Sequence, residues 1–166
     1  AWATSPQHKE ANMKVFVAGG SGRVAAAVIA KLVEGGHEVW AGSRHVDAIP
    51  QTKGVHPVEL DLHASVDKLA EKVRGMDAVY FLAGSRGKDL LQTDAFGAVK
   101  LMQASEKVGV KRFVQLSAIF AMKPEKWAGE PSLASIVDYD IAKFFADEWL
   151  VSRTNLDFTI VAPSVL

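Results

Sequence analysis

The chain has no cysteine, which rules out disulfides, thiolate metal sites and a cysteine nucleophile and makes a reducing compartment the simpler expectation. It also has no surplus of either charge: nineteen Lys and Arg meet nineteen Asp and Glu among 166 residues. Without a basic field there is nothing to hold a nucleic-acid backbone or an anionic membrane, so neither is expected as a partner. No apolar run approaches the roughly 18 residues that a membrane-spanning helix requires. A charged-then-apolar signal pattern is missing at the N-terminus. The expectation is a soluble, cytoplasmic protein. The five histidines, His8, His37, His45, His56 and His63, fall on loops or element ends and never at i,i+4 with a catalytic Glu, so no metal site is read. Internal repeats and low-complexity tracts are absent as well.

What the chain does have is alternation. Residues 1–12 show neither strand nor helix periodicity and read as a leader or a remnant of cloning, which leaves 13–166 as one domain. From Met13 onward, short apolar runs alternate with helical spacing. Strands are expected at Lys14 to Ala18, Glu38 to Ala41, Val55 to Leu60, Ala78 to Ala83, Arg112 to Leu116 and Asp157 to Val161. Helices are expected from Gly22 to Glu34, around Val66 to Val73, from Thr93 to Val108, and up to Arg153. Strands separated by helices make parallel βαβ units. The predicted fold is therefore α/β, a doubly wound Rossmann-type sheet in three α/β/α layers, with strand order 3-2-1-4-5-6 and ligands outside the strands' carboxyl ends.

The turn after the first strand carries the chemistry. Val15, Phe16, Val17 and Ala18 break at Gly19, Gly20, Ser21 and Gly22, and apolar spacing resumes at Val24, Ala25, Val28, Ile29 and Leu32; Arg23, in the turn, either flanks the phosphate or points to water. A G-x-x-G-x-x-A turn between a strand and a helix brings bare backbone and the helix's first N–H groups to a phosphate. That points to a dinucleotide. In NAD binders an acid near the end of the second strand takes the ribose hydroxyl, but here the strand runs into Ala41, Gly42, Ser43 and Arg44. Arg44 offers a fork of donors to a 2′-phosphate and Ser43 a hydroxyl, so NADP is expected over NAD. A solvated surface arginine is the plainer alternative for Arg44. Asp61, ending the third strand, reads either as an acceptor for the adenine amino group, with Leu62 lining the base, or as a helix cap. Ala83 and Gly84 present a small surface at the central cleft.

The turn A-G-G-S-G-R-V-A, the ending F-L-A-G-S, the segment T-D-A-F-G-A-V-K, the run G-V-K-R-F-V-Q-L-S and the stretch Tyr139-Asp140-Ile141-Ala142-Lys143 resemble the short-chain dehydrogenase/reductase superfamily. More narrowly they resemble its atypical NAD(P)-binding branch, akin to NmrA-like proteins and epimerase/dehydratases. The resemblance spans nearly all of 13–166. It implies Tyr139 as acid/base, Lys143 as the residue that binds the nicotinamide ribose and lowers the tyrosine's pKa, and Ser117 as the group polarising the substrate oxygen. Where the superfamily has an Asn, this chain has Asp94. The implied activity is an NADP-dependent oxidoreductase or epimerase-like enzyme for a small carbonyl or alcohol. A non-catalytic NADP(H)-binding sensor is the alternative. Y-x-x-x-K also arises as a mere surface pair, Ser117 as a turn residue and Asp94 as a helix cap.

Phe120, Met122 and Trp127 lie in the connection after the fifth strand, either as part of a substrate lid or as its packing. Phe144, Phe145, Trp149 and Leu150 give the last helix more apolar surface than one face needs, which reads either as a homodimer contact or as a buried helix. Relatives of this kind continue past the sixth strand with substrate-side elements, so the expectation for 13–166 is a nearly complete cofactor half with little of the substrate side.

Overall fold

The computed structural model describes residues 12–129 and 131–164; the stretch read as a leader lies, but for Asn12, outside them. Six parallel strands form one sheet in the order β3-β2-β1-β4-β5-β6. They are β1 (Lys14–Ala18), β2 (Glu38–Ser43), β3 (Val55–Glu59), β4 (Ala78–Phe81), β5 (Arg112–Leu116) and β6 (Asp157–Val161). The helices are α1 (Arg23–Glu34), α2 (Val66–Val73), α3 (Phe96–Lys107), α4 (Pro131–Ala134) and α5 (Val137–Arg153). This is the expected Rossmann-type order. None of the described helices is long and apolar enough to cross a membrane.

Alternation along the buried strands divides the core between the two faces. Phe16, Val79, Phe81 and Phe113 point to the layer containing Leu69 of α2, Leu101 and Met102 of α3 and Leu150 of α5. Val15, Val17 and Val39 point the other way, against Ala25 and Ile29 of α1. Because β1 is central and pairs with both β2 and β4, its carboxyl end is where the strand order reverses. Ligands of such sheets bind at that crevice.

Strands β3 and β4 end one and two residues earlier than read, at Glu59 and Phe81, and α1 starts at Arg23 rather than Gly22; two further differences bear on the site. Strand β2 runs on through Gly42 and Ser43, which pair with Val58 and Glu59. Gly42 continues the strand because a Cβ there would stand 2.8 Å from the Phe16 ring. The segment ahead of α3 is no ordinary first turn either: Leu90–Ala95 form a π-helical turn, and the Phe96 N–H reaches back to the Leu91 carbonyl. Gly97 makes room for it, since a Cβ there would lie 3.1 Å from the Gln92 carbonyl oxygen.

Candidate functional site

The turn after β1 is held from within. Gly19 has φ +90°, a conformation that glycine adopts without a Cβ penalty, and an added Cβ would fall 2.5 Å from the Ala83 Cα. A Cβ on Gly20 would meet that of Ala41 at 2.8 Å. Both glycine N–H groups donate to the Gly42 carbonyl at 2.9 Å. These two glycines therefore bring β1, β2 and the end of β4 together, and their own amides are already engaged. The free donors lie one step on. Gly22 caps α1 without a side-chain hydrogen bond, and the first turn has no acidic residue. Among the described residues the N–H groups of Ser21, Arg23, Val24 and Ala25 have no backbone acceptor. Four uncapped donors with the positive helix end behind them fit a pyrophosphate.

Around that turn stand the residues that the sequence reading assigned to the adenylate side. The Ser43 hydroxyl donates to Ser21 Oγ at 2.9 Å and accepts the His45 N–H at 3.0 Å. Arg44 is exposed at the end of β2, and Arg23 is exposed on α1. Asp61 Oδ1 accepts the His63 N–H at 2.9 Å, shaping the loop, while α2 is capped by Ser65, whose Oγ accepts the Lys68 N–H. The helix-cap alternative for Asp61 thus falls to Ser65. Leu62 is buried against Gly97, and Ala83 and Gly84 lie between Gly19 and Asp94.

Across the crevice the catalytic candidates converge on α5. Lys143 is 1% exposed; its Nζ donates to the Leu116 carbonyl at 3.0 Å and stands 5.6 Å from the centre of the Tyr139 ring. The lysine lies against the ring face and the Phe81 ring. Burial pulls its pKa down while Asp94 and Asp147 push it up. Tyr139, half-buried, is raised to about 12, first by burial and then by the charges of Asp94, Asp140 and Asp147. The expectation was a tyrosine pKa lowered by Lys143. Burial and then the three carboxylates push it the other way. Tyr139 also lines a cleft of about 580 Å³ with Arg86, Leu90, Ile136 and Asp138.

Ser117 and Asp94 are both occupied. Ser117 is 2% exposed and donates its hydroxyl to Asp147 Oδ2. Asp94 is fully buried in the π-helical turn and accepts the Ser85 N–H at 3.1 Å. It caps no helix; it ties the loop after β4 to α3. Three buried polar residues beside the site escaped the sequence reading: Gln115, Asp140 and Asp147. Asp147 lies four residues beyond Lys143, a one-turn spacing that marks the shared face. Nothing comparable marks Gln115. Burial raises the Asp147 carboxyl to about 6, against the opposing effects of Ser117 and Lys143. A second cluster was missed too: Asp89 Oδ2 accepts the Thr93 hydroxyl at 2.6 Å and lies 2.5 Å from His63 Nε2. Among the described residues no group of three or more His, Asp or Glu is placed to hold a metal ion.

Comparison with known proteins agrees with this geometry. A family model described as NAD(P)H-binding matches residues 19–166. The oxidoreductase ylbE from Lactococcus lactis is 45% identical with a TM-score of 0.87, over 91% of this chain and 68% of its own. The uncharacterized sugar epimerase YhfK of Bacillus subtilis is 30% identical over 93% of this chain and 72% of its length. The UPF0659 protein YMR090W of Saccharomyces cerevisiae is 34% identical over 93% and 70%.

Proposed function

The chain belongs to the NAD(P)H-binding family, an oxidoreductase and epimerase-like group, and from that membership and the geometry above we propose an NADP(H)-dependent enzyme acting on a small carbonyl or alcohol. The observation that carries it is the uncapped N-terminus of α1 at the end of β1, in a fold whose α5 stacks Tyr139 over buried Lys143. In this reading the amides of Ser21 and Arg23 to Ala25 take the pyrophosphate and Ser43 with Arg44 the 2′-phosphate. Asp61 and Leu62 flank the adenine, and Ala83 and Gly84 the central ribose. Lys143 spends one donor on Leu116 and keeps two for the nicotinamide ribose. A nicotinamide bound there supplies or takes up a hydride at C4.

The proton is the chain's own contribution. With a pKa near 12, Tyr139 keeps its proton at neutral pH and is placed to donate it to a developing alkoxide, which favours carbonyl reduction. Tyr139→Phe should lower NADPH consumption over a carbonyl panel by about a hundredfold or more while leaving NADPH binding intact. Equal rates in parent and variant would refute the assignment. The binding-only alternative is favoured by one feature: the Ser117 hydroxyl is committed to Asp147 and turned from any substrate oxygen. On that reading neither protein consumes NADPH with any member of the panel.

A further inference from the structure

We propose that the cleft shared by Tyr139 and Arg86 takes a carbonyl substrate with an apolar body and one carboxylate, and that Arg86 is the residue that selects the carboxylate. The inference rests on the reading of Tyr139 given above and names the substrate class for it. Tyr139 opens onto a cleft of about 580 Å³, and Arg86, Leu90, Ile136, Val137 and Asp138 line the same space. Leu90 of the π-helical turn, with Ile136 and Val137 at the start of α5, makes hydrocarbon walls. Ile136 is 40% exposed, apolar surface that an aliphatic or aromatic substrate body would cover.

The loop after β4 supplies the cation. Arg86 has φ +54° and is one of two non-glycine residues with positive φ among the described residues. Gly87 follows at φ +80°, and the Lys88 N–H closes turn 85–88 onto the Ser85 carbonyl at 3.2 Å. Two central residues at positive φ make the kind of turn that Asn-Gly fills with least strain. An arginine is unfavourable for the backbone there, and no hydrogen bond or ion pair to the described residues offsets it. The turn is also anchored, because fully buried Asp94 accepts the Ser85 N–H at 3.1 Å. The strain thus holds an unpaired guanidinium at the cleft. Its planar fork of donors matches a carboxylate in two parallel hydrogen bonds. One cation, with Asp138 lining the same cleft, suits a single negative charge better than the nearly two of a phosphate. With the carboxylate on Arg86 and the carbonyl oxygen at the Tyr139 hydroxyl, reduction moves a hydride from NADPH to the carbonyl carbon and the Tyr139 proton to its oxygen. The products are a hydroxy acid and NADP⁺, and Tyr139 regains its proton from water.

Two aldehydes test this, p-carboxybenzaldehyde and its methyl ester, which differ in charge at one end. Binding is read by calorimetry with NADP⁺ present, where no hydride is available, and turnover by NADPH consumption. The parent should bind the acid about tenfold more tightly than the ester at low salt, and the same preference should appear in KM rather than kcat. Arg86→Lys should keep part of it, about threefold. Arg86→Asn suits the turn and removes the cation; it should bring the two aldehydes within about twofold of each other while leaving NADPH affinity and melting temperature no lower than the parent's. An acid that binds the parent no more tightly than its ester would overturn the inference. So would a loss of NADPH affinity in Arg86→Asn as large as its loss of the acid, which would assign Arg86 to the cofactor. The premise fails separately. If the parent prefers the acid in calorimetry but reduces neither aldehyde, the carboxylate site stands and the catalytic reading of Tyr139 falls; if it reduces both with equal kcat/KM, the carboxylate site falls and Tyr139 keeps its role.

Discussion

At the scale of single residues, burial decides more than residue type. Asp147 loses its proton near 3.8 in a free chain but only near 6 in this fold, chiefly because burial disfavours its charge. Between those values the folded state holds a proton that the unfolded chain has released. Stability conferred by this group should therefore fall as pH rises from about 4 to about 6 and remain lower above. Asp147→Asn keeps an acceptor for Ser117 and removes the charge. Urea melts at several pH values should show a flatter profile between pH 4 and 6 and a gain at pH 7.5 of at most about 3 kcal/mol. Gly19 gives the opposite case. Gly19→Ala puts a Cβ 2.5 Å from the Ala83 backbone at φ +90°, and should cost about 2–4 kcal/mol in the same assay. That glycine was legible in the sequence as a turn residue, yet its packing against the end of β4 was not. Strand partners are set by tertiary pairing, which a local motif does not encode. Tyr139 and Lys143 were likewise legible as a pair one helical turn apart. The carboxylates that set the tyrosine's pKa were not, because nothing in a pattern of residues separates a buried aspartate from a solvated one.

Among the elements, α1 carries the sharpest trade-off. Its cap, Gly22, has φ −80° and ψ 163°, a geometry any residue adopts, and a Cβ there would rest 3.4 Å from the Gly19 carbonyl oxygen. Gly22→Asp should cap the helix and stabilise the ligand-free protein by about 0.5–1 kcal/mol. The same carboxylate would stand at the proposed pyrophosphate site, so on that reading NADPH affinity should fall about a hundredfold, measured beside the melting curve. The π-helical turn at Leu90–Ala95 holds another test. Deleting Gln92 should let the turn revert to regular helix and swing Asp94 about 100° around the axis, so that it no longer meets the Ser85 N–H. Loss of protection of the Ser85 amide in hydrogen exchange would report it. The sequence placed all six strand starts to the residue and most helix faces correctly, because apolar periodicity is local. It missed the end of β2 and the π-turn, where glycines that look like breakers are packing devices under Phe16 and beside Leu62.

For the molecule as a whole, ligand linkage is the direct measure. NADPH at a hundred times its dissociation constant should add about 2.7 kcal/mol, a rise in melting temperature of roughly 5–10 °C, and NADH at the same concentration should give less. Self-association is a separate expectation from α5, where Phe145 is 57% exposed; sedimentation should return a dimer mass that Phe145→Glu reduces to the monomer. The fold class and strand order were fully legible, since alternating strands and helices admit few topologies. The contact between His63 and Asp89, 26 residues apart, was not, because no local signal announces that two loops meet. One property belongs to the parallel sheet alone. Each of α1, α2, α3 and α5 follows a strand and returns antiparallel to it, so the peptide dipoles of all four align and their positive poles gather along a single rim. A chain with equal numbers of cations and anions is thus electrically lopsided. At close range that rim favours a small anion, while the chain shows no net charge from a distance.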